Sequence, residues 1–424
     1  MPRILYTAIF IALIPAYFIR LTLRGIGNKK YLERWSERIG KANIRPTQDR
    51  PIIWVHAVSV GEVNASIPLL RNLMEEYQDS EFLVTTSTPT GSDILLKKLG
   101  NKIKHQYLPI DIPLCVNLFI NTWGPKALIL LETEIWPNII HCCKKRGIVT
   151  ALVNARLSEQ SKLRYLKFKA LIEPAIDSLD IILAQYESDA HRFNEIVPDK
   201  EIKICGNLKF DQDLPDELES ISSSIKDSWA IDGQRRPTLI AASTHEGEEK
   251  IVLEAFQLIL KSTPNALLII VPRHLERFKR VKSLLNQLGF NSSSRSLQED
   301  VTKDVQVMLG DTMGELNFLY SVSDVAFVGG TLIDHGGQNF LEPAAQGLPL
   351  CSGPSLRNFI EISDQLQKAS SLKIVHNKED ISNYFLSLIG EKNKLKNTGQ
   401  ASKAVFMENR GAIKIIQEEL IKYL

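Results

Sequence analysis

The chain has 424 residues, with 51 lysines and arginines against 49 aspartates and glutamates, and a formal net charge of +2. With 44% hydrophobic and 24% charged residues, this composition excludes intrinsic disorder, a collagen-like chain and a disulfide scaffold. The length predicts two or three domains, and the balanced charge gives no reason to expect nucleic acid as a partner. The five cysteines form no CxxC pair, which argues against a zinc ribbon and favours reduced thiols.

An apolar segment opens the chain. Residues 4–19 carry no charge, and six basic residues follow between positions 20 and 38. A basic cluster after an apolar segment places the following chain in the cytoplasm and argues against a cleaved signal peptide. We therefore predict a single-pass membrane anchor over residues 1–24 and a basic juxtamembrane segment over residues 25–50. A buried apolar helix of a soluble domain is the alternative interpretation.

From residue 51 onward, short apolar segments alternate with longer segments of helical period. This alternation predicts an α/β fold, in which doubly wound parallel sheets are covered by helices on both faces. We predict an N-terminal domain over 51–214, a polar linker region over 215–236, a C-terminal domain over 237–400 and one long helix over 401–424. Ligands of such folds bind beyond the carboxyl ends of the strands, so we expect the site in a cleft between the two sheets.

The predicted strands can be placed directly on the sequence. Those of the first half are 52–57, 82–87, 126–132, 148–154 and 180–184, and those of the second half are 238–243, 266–271, 305–309, 324–329 and 348–352. Helices are predicted between them, and residues 291–296 are predicted to form a short polar loop. Polar side chains that directly follow these strands are therefore the candidates for the site.

In the first half, these candidates are three acidic and two basic residues. Glu62 opens a predicted helix, where a carboxylate either stabilises the helix dipole or accepts a proton from a hydroxyl nucleophile. Glu132 and Glu134 lie at the end of an apolar strand, where they would share one face, and both a helix-start role and a functional role remain open. Arg156 and Lys209 are candidate anion contacts, with a surface ion pair and a solvated lysine as the alternatives.

In the second half, the candidates are polar residues and glycines. Ser243 and Thr244 precede a predicted helix, an arrangement that suits a phosphate cradle and equally an ordinary helix cap. Arg273 ends the next strand. Two glycine doublets, at 329–330 and 336–337, precede Asn339 and Glu342. Glycines let a ligand approach the backbone, and a glutamate on the following helix could bind two vicinal ribose hydroxyls.

Several chemistries are not supported by any motif. The sequence contains no GxxxxGK[ST], no GxGxxG after a strand, no HExxH and no GxSxG. A P-loop ATPase, a nicotinamide or flavin site, a zinc enzyme and a serine hydrolase are therefore not predicted. We predict no metal and no cofactor.

Nine motifs together resemble a known family. They resemble motifs of the 3-deoxy-D-manno-octulosonate (Kdo) transferases of Gram-negative bacteria. In chain order, the motifs are HAVSVGEVNAS, LETEIWPN, VNARLSEQS, GNLKFD, AASTHEGEE, VPRH, GDTMGEL, FVGGTL and HGGQNFLEPAAQG. The resemblance implies a GT-B fold of two Rossmann-like domains facing a cleft. It also implies an inverting glycosyltransferase that moves Kdo from CMP-Kdo to a lipid A precursor, lipid IVA. The implied location is the cytoplasmic face of the inner membrane, and the implied process is lipopolysaccharide core biosynthesis.

The resemblance further implies roles for individual residues. Glu62 would be the general base, and Glu132 and Glu134 would be further catalytic residues in a motif associated with acceptor or sugar positioning. The implied acceptor-binding residues are Ser59, Gly61, Asn64 and Arg156. The implied donor-binding residues are Lys209, Ser243, Thr244, Pro272, Arg273, His274, Met313, Gly314, Glu315, Gly329, Gly330, Asn339 and Glu342.

Two alternatives to this function stay open. The first is another GT-B enzyme that uses a UDP-sugar, either a transferase or a sugar 2-epimerase. The second is a non-catalytic, membrane-bound scaffold that has kept the cleft. Donor-binding tests separate CMP-Kdo from UDP-sugars, and an epimerase would not require the N-terminal anchor.

Overall fold

The computed structural model describes residues 2–43, 50–211 and 218–424. Its internal contacts divide the chain into a first unit, Met1–Gln212 with Asn409–Leu424, and a second unit, Asp213–Glu408. Each unit contains one seven-stranded sheet in which all strand pairs are parallel. The predicted α/β class with two doubly wound sheets is therefore confirmed.

The first unit is built on a sheet with strand order β3-β2-β1-β4-β5-β6-β7. Its strands are β1 Ile52–His56, β2 Glu81–Thr86, β3 Lys104–Tyr107, β4 Pro125–Leu131, β5 Val149–Ala155, β6 Ile181–Ala184 and β7 Lys203–Ile204. Its helices before the second unit are α1 Pro2–Gly27, α2 Trp35–Arg38, α3 Val60–Glu76, α4 Pro89–Leu99, α5 Pro113–Trp123, α6 Pro137–Lys145, α7 Glu159–Lys167, α8 Lys169–Asp177 and α9 Glu187–Asn194. Short 3-10 helices cover Lys29–Leu32, Gly100–Lys102 and Leu208–Asp211. Apolar residues on both faces of the strands are buried, as expected for a sheet covered on two sides.

The second unit repeats this plan with strand order β10-β11-β9-β8-β12-β13-β14. Its strands are β8 Thr238–Thr244, β9 Leu267–Pro272, β10 Ser292–Ser294, β11 Val307–Leu309, β12 Val325–Val328, β13 Leu350–Ser352 and β14 Leu372–Ile374. Its helices are α10 Leu218–Ser228, α11 Glu248–Ser262, α12 Leu275–Gln287, α13 Leu316–Ser321, α14 Leu341–Ala345, α15 Ile360–Lys368, α16 Lys378–Ile389 and α17 Lys392–Glu408. The last helix of the chain, α18 Ala412–Leu420, belongs to the first unit.

Some predicted elements need correction. The predicted polar loop at 291–296 contains the edge strand β10, whose serines pair with β11 and bring no apolar signal of their own. Strands β3, β7 and β14 were not predicted either, because they are short or polar. The single helix predicted over 401–424 is two helices, since Gly411 between them adopts a left-handed backbone with φ of 109°.

The α1 helix has the properties expected of a membrane-associated segment. It is 26 residues long and, among the described residues, it is the one helix apolar and long enough to cross a membrane. Only 6% of its most apolar 18-residue segment is buried, whereas a core helix of a soluble domain would be mostly buried. This finding gives limited support to the predicted anchor.

The start of the α18 helix is held to the first unit by one buried carboxylate. Asp211 accepts hydrogen bonds from the backbone N–H groups of Gly411 and Ile413, at 2.7 and 2.6 Å. Along the same helix, Ile416 and Leu420 are buried in the apolar core behind the first sheet. The carboxylate therefore supplies partners for N–H groups that the start of a helix leaves unpaired.

We expect Asp211→Ala to loosen α18 and to lower the free energy of unfolding of the first unit by about 2–4 kcal/mol. The physical reason is that two charge-assisted hydrogen bonds are lost and two donors stay unpaired. Hydrogen exchange of residues 412–420 and thermal unfolding measure the effect, with Glu418→Ala on the exposed face as the control. Unchanged exchange in α18 would show that apolar packing and the ion pair between Lys203 and Glu419 hold this helix without Asp211.

Candidate active site

The strand order defines one switch point in each sheet, where binding sites of such folds lie. In the first sheet, this point falls between β1 and β4, since the chain winds outward from these two neighbours in opposite directions. In the second sheet, it falls between β8 and β12 for the same reason. Most of the candidate residues follow these four strands.

Glu62 lies on the first turn of α3, directly after β1. Its carboxylate accepts hydrogen bonds from the Val58 backbone N–H and from the Ser59 hydroxyl, both at 2.8 Å. The Ser59 hydroxyl in turn accepts a hydrogen bond from the Glu62 backbone N–H at 3.2 Å. Glu62 therefore helps to start α3, which is one of the two roles that the sequence left open. Burial raises the pKa of Glu62, these hydrogen bonds oppose the shift, and the charges of Glu132 and Glu134 add to it. Three carboxylates therefore share this switch point.

Glu132 and Glu134 both lie beyond the end of β4, which stops at Leu131. The expectation that they share one strand face is therefore wrong. Glu132 has a left-handed backbone with φ of 55°, a conformation that costs energy in residues other than glycine and is concentrated at functional sites. Its Oε1 atom lies 3.5 Å from Lys209 Nζ, and Glu134 Oε2 accepts the Trp136 indole N–H at 2.7 Å.

Lys209 lies in the first unit, on the 3-10 helix Leu208–Asp211. Because its partner is Glu132, the lysine partly compensates the negative charge of the three carboxylates. Asn154 fixes this helix, since its side-chain oxygen accepts the Leu208 N–H at 3.1 Å. Asn154 is fully buried, and its amide nitrogen has no hydrogen-bond partner in the described parts of the chain. This asparagine has no predicted role, although it lies near the end of the apolar strand β5.

His56 is a second residue without a predicted role. It is the last residue of β1, is fully buried, and its Nδ1 atom lies 2.9 Å from the Thr85 hydroxyl. Its Nε2 atom lies 3.5 Å from Glu134 Oε2 and makes no hydrogen bond within the described ranges. The imidazole thus joins the wall of the site next to one of its carboxylates. Its place at the end of the strand before Glu62 was the signal available in the sequence.

The predicted acceptor-binding residues occupy different surroundings. Ser59 and Gly61 are exposed at the start of α3. The side-chain oxygen of Asn64 accepts a hydrogen bond from Lys98 Nζ at 3.0 Å. Arg156 is exposed just after β5 and has neither an ion pair nor a side-chain hydrogen bond to any residue that the structure describes. The guanidinium is therefore available to an anionic ligand.

In the second unit, one buried carboxylate joins the loops that follow β8 and β12. Glu248 is fully buried and accepts four backbone N–H groups, at 2.7–3.0 Å: those of His245, Gly330, Thr331 and Leu332. The loop after β12 also touches the end of β8 directly, because a Cβ atom at Gly329 would lie 2.5 Å from the Ser243 carbonyl oxygen. Only glycine fits this position. Glu248 has no predicted role, although it lies within the AASTHEGEE motif.

The predicted ribose-binding and anion-binding residues are close enough to interact. Asn339 donates a hydrogen bond to Glu342 Oε1 at 3.0 Å. Burial raises the pKa of Glu342, whereas this hydrogen bond and the charge of Arg273 lower it. Arg273 itself is exposed, and Pro272 is the buried last residue of β9. A carboxylate and a guanidinium therefore stand near each other at one end of the sheet.

Histidines add further hydrogen-bonding groups here. The ring centre of His245 lies 5.3 Å from that of His274 and 4.2 Å from that of His335. Burial, together with the neighbouring imidazole of His335, lowers the pKa of His245. Thr244 is fully buried, and its hydroxyl lacks a hydrogen-bond partner among the described residues.

The GDTMGE motif lies around a separate cavity of about 770 Å³ in the second unit. Met313 and Glu315 line this cavity together with Trp229 and Arg295. Glu315 is held by a two-fold ion pair with Arg295, at 3.0 and 3.1 Å, and Gly314 has a left-handed backbone. This motif therefore lies beyond β11. Neither Glu342 nor Arg273 lines the cavity.

Within residues 2–43, 50–211 and 218–424, no group of three or more His, Cys, Asp and Glu side chains is arranged to hold a metal ion. All five cysteines are buried free thiols.

Two parallel-sheet α/β units with polar groups at both switch points define a GT-B type protein. A UDP-GlcNAc 2-epimerase from Neisseria meningitidis has the same fold, with a TM-score of 0.60 over 88% of this chain and 100% of that chain. Its sequence identity is 16%, so this likeness concerns the fold alone.

Sequence comparison then gives the family. A family profile described as 3-deoxy-D-manno-octulosonic-acid transferase matches residues 33–212. A 3-deoxy-D-manno-octulosonic acid transferase of Haemophilus influenzae is 38% identical over 100% of this chain and 99% of that protein. One of Bordetella pertussis is 30% identical over 95% of this chain and 98% of that protein. The chain belongs to the Kdo transferase family and is a glycosyltransferase, as the resemblance of the nine motifs predicted.

Proposed function

We propose that this enzyme transfers Kdo from CMP-Kdo to a sugar hydroxyl of the lipid A precursor lipid IVA, with inversion at the anomeric carbon. The observation that carries the proposal is the cluster of Glu62, Glu132 and Glu134 at the switch point of the first sheet. A hydroxyl nucleophile needs a base, and a buried carboxylate with a raised pKa suits that task. The 38% identical relative supports Kdo as the sugar.

The proposed reaction forms one bond and breaks one. The acceptor oxygen attacks the anomeric carbon of Kdo while its proton passes to Glu62. The bond from that carbon to the phosphate oxygen breaks, and CMP leaves with the electron pair. The transition state then resembles an oxocarbenium ion, as in other glycosyl transfers. Lys209 limits the negative charge of the site through its ion pair with Glu132.

The second unit would bind the CMP-Kdo donor. Glu342 has the chemistry to accept hydrogen bonds from both ribose hydroxyls, with Asn339 holding its carboxylate in place. Arg273 would neutralise the phosphate or the Kdo carboxylate, because it is exposed and close to the proposed ribose site. Positive groups and N–H donors can stabilise an anionic leaving group without a metal ion.

We also propose that the enzyme is attached to the cytoplasmic face of the inner membrane through α1. The acceptor is an acylated lipid, so the enzyme must work at a membrane surface. Large apolar side chains of α1 are between 49% and 83% exposed: Ile4, Leu5, Ile9, Ile11, Leu13, Ile19, Leu23 and Ile26. Fully burying one such side chain is worth about 1.5–3 kcal/mol, so this surface favours lipid over water. The basic residues that follow would contact anionic headgroups.

The UDP-sugar alternative now has little support. The observation in its favour is that the chain shares its fold with a UDP-GlcNAc 2-epimerase, at 16% sequence identity. Proteins of one fold carry many functions, so such a likeness does not choose the substrate.

Mass spectrometry of the product tests the proposed function. The full-length protein in detergent is incubated with lipid IVA and CMP-Kdo made in situ, and UDP-GlcNAc replaces CMP-Kdo in a parallel reaction. We expect lipid IVA to gain one or more Kdo units with CMP-Kdo alone, and the mass gain counts the additions. A product that forms only from the UDP-sugar would overturn the assignment of the donor.

A further inference from the structure

The α1 helix is covered by protein along one stripe that runs its whole length. The residues of this stripe that are partly or fully buried are Arg3, Tyr6, Thr7, Phe10, Ile14, Tyr17, Phe18, Leu21 and Gly25. Their spacing of three and four residues places them on one side of the helix. The helix therefore presents one side to the first unit and the other side outward, and this outer side is apolar apart from Arg20, Thr22 and Arg24 near its carboxyl end.

The beginning of α1 is tied to the first unit by polar contacts. The Tyr6 hydroxyl donates a hydrogen bond to Asp111 Oδ2 at 2.8 Å. The Asn138 side-chain amide donates to the Thr7 hydroxyl at 3.0 Å, and Arg3 donates to the Asn138 oxygen at 3.4 Å. Asp111 and Asn138 are themselves buried and bonded to each other. These contacts hold the amino-terminal end of the helix on the domain.

The end of α1 is tied to the same unit. Arg38 donates a hydrogen bond to the Tyr17 hydroxyl at 2.9 Å, and the Phe18 ring lies 4.9 Å from the Trp35 ring. Gly25 is buried so tightly that a Cβ atom there would lie 2.5 Å from the Leu32 side chain. Both ends of the helix therefore rest on one compact unit.

The length of the stripe makes this arrangement incompatible with a membrane span. From Arg3 to Gly25 the helix rises about 33 Å, which exceeds the hydrocarbon core of about 30 Å. If α1 crossed the membrane, the elements docked along it would enter the hydrocarbon with it. Two of them, α6 and α8, carry the charged residues Lys144, Lys145 and Glu173. Charged side chains at that depth are strongly disfavoured.

We propose that α1 lies in the plane of the membrane surface, docked lengthwise on the first unit, with its outer face in the lipid and both ends on the cytoplasmic side. This inference rests on the membrane attachment proposed above and replaces the predicted single-pass span by an in-plane anchor. Phe168 is a further exposed apolar side chain of the first unit. It is 66% exposed and lies between Lys167 and Lys169 at the start of α8. An aromatic ring between two lysines suits the headgroup region.

Cysteine labelling from each side of the membrane tests the proposal. All five native cysteines are buried, so their background reaction with a membrane-impermeant maleimide is low. Pro2→Cys marks the exposed first end of α1, and Ile26→Cys, at an 83% exposed position, is the matched control at the other end. Inverted inner-membrane vesicles expose the cytoplasmic face, and spheroplasts expose the periplasmic face.

We expect Pro2→Cys to react in inverted vesicles within about twofold of Ile26→Cys, and not in spheroplasts. Protection of Pro2→Cys in inverted vesicles, or its reaction in spheroplasts, would overturn the in-plane anchor and restore the span. Full-length protein found in the soluble fraction would instead overturn the membrane attachment itself. Transfer activity of both variants, which leave the site untouched, shows that each protein is folded.

Discussion

Glu62→Gln is expected to lower kcat for Kdo transfer by a factor of about 10³, within the range of 10²–10⁴ that a general base contributes. The amide keeps the size of the side chain and cannot accept the proton of the acceptor hydroxyl. Steady-state kinetics with CMP-Kdo and lipid IVA measures the effect. Donor binding should stay unchanged, because the proposed donor residues lie in the second unit.

The pH dependence of the same reaction gives an independent test. Only the ionised form of Glu62 accepts a proton, and burial together with two neighbouring carboxylates raises its pKa. The acidic limb of kcat/KM should therefore lie above the ordinary range of a glutamate. Glu132→Gln removes one negative neighbour and should move this limb to lower pH.

Ser59→Ala is the matched control for the structural role of Glu62. This change removes the helix cap, at a cost of about 1 kcal/mol, and keeps the carboxylate. If Ser59→Ala loses as much activity as Glu62→Gln, the carboxylate has no role separate from the Ser59 cap and its hydrogen bond to Glu62. If Glu62→Gln stays active while folded, the base is elsewhere, and Glu132 and Glu134 are the next candidates.

The second large effect is expected at Glu248, which has no predicted contact with substrate. Glu248→Gln replaces one carboxylate oxygen by an NH₂ group, so two of its four backbone donors lose their acceptor. We expect the free energy of unfolding of the second unit to fall by about 3–5 kcal/mol, because charge-assisted hydrogen bonds are lost and buried donors stay unpaired. Thermal unfolding, with hydrogen exchange of residues 243–247 and 329–332 to locate the change, measures the loss.

Glu342→Gln is the comparison variant, because its carboxylate is held by one side chain, Asn339. We expect its stability to stay within about 1 kcal/mol of the wild type, since an amide can still accept that hydrogen bond. The KM for CMP-Kdo should rise about 10- to 100-fold, since a neutral amide replaces a charged acceptor of the ribose hydroxyls. The same loss of stability in both variants would contradict the separate roles of the two glutamates.

Much of the site could be predicted from the sequence because its residues follow apolar strands. Glu62, Glu132 and Glu342 each come directly after such a strand or its glycine loop, and the rule that ligands bind at strand ends places them at the site. His56, Asn154 and Glu248 were missed for a common reason. They are buried and act through contacts with backbone or side chains that lie 29 to 84 residues away. No spacing in the sequence reveals such contacts.

Local composition and residue order were enough to predict the alternation of strands and helices, the family, and the apolar character of the first helix. Contacts between distant parts of the chain became visible only in the folded molecule. The fold placed Lys209 beside Glu132, returned α18 to the first unit through Asp211, and laid α1 along the domain. Each of these depends on the distance between residues far apart in the chain, which only the packed fold sets.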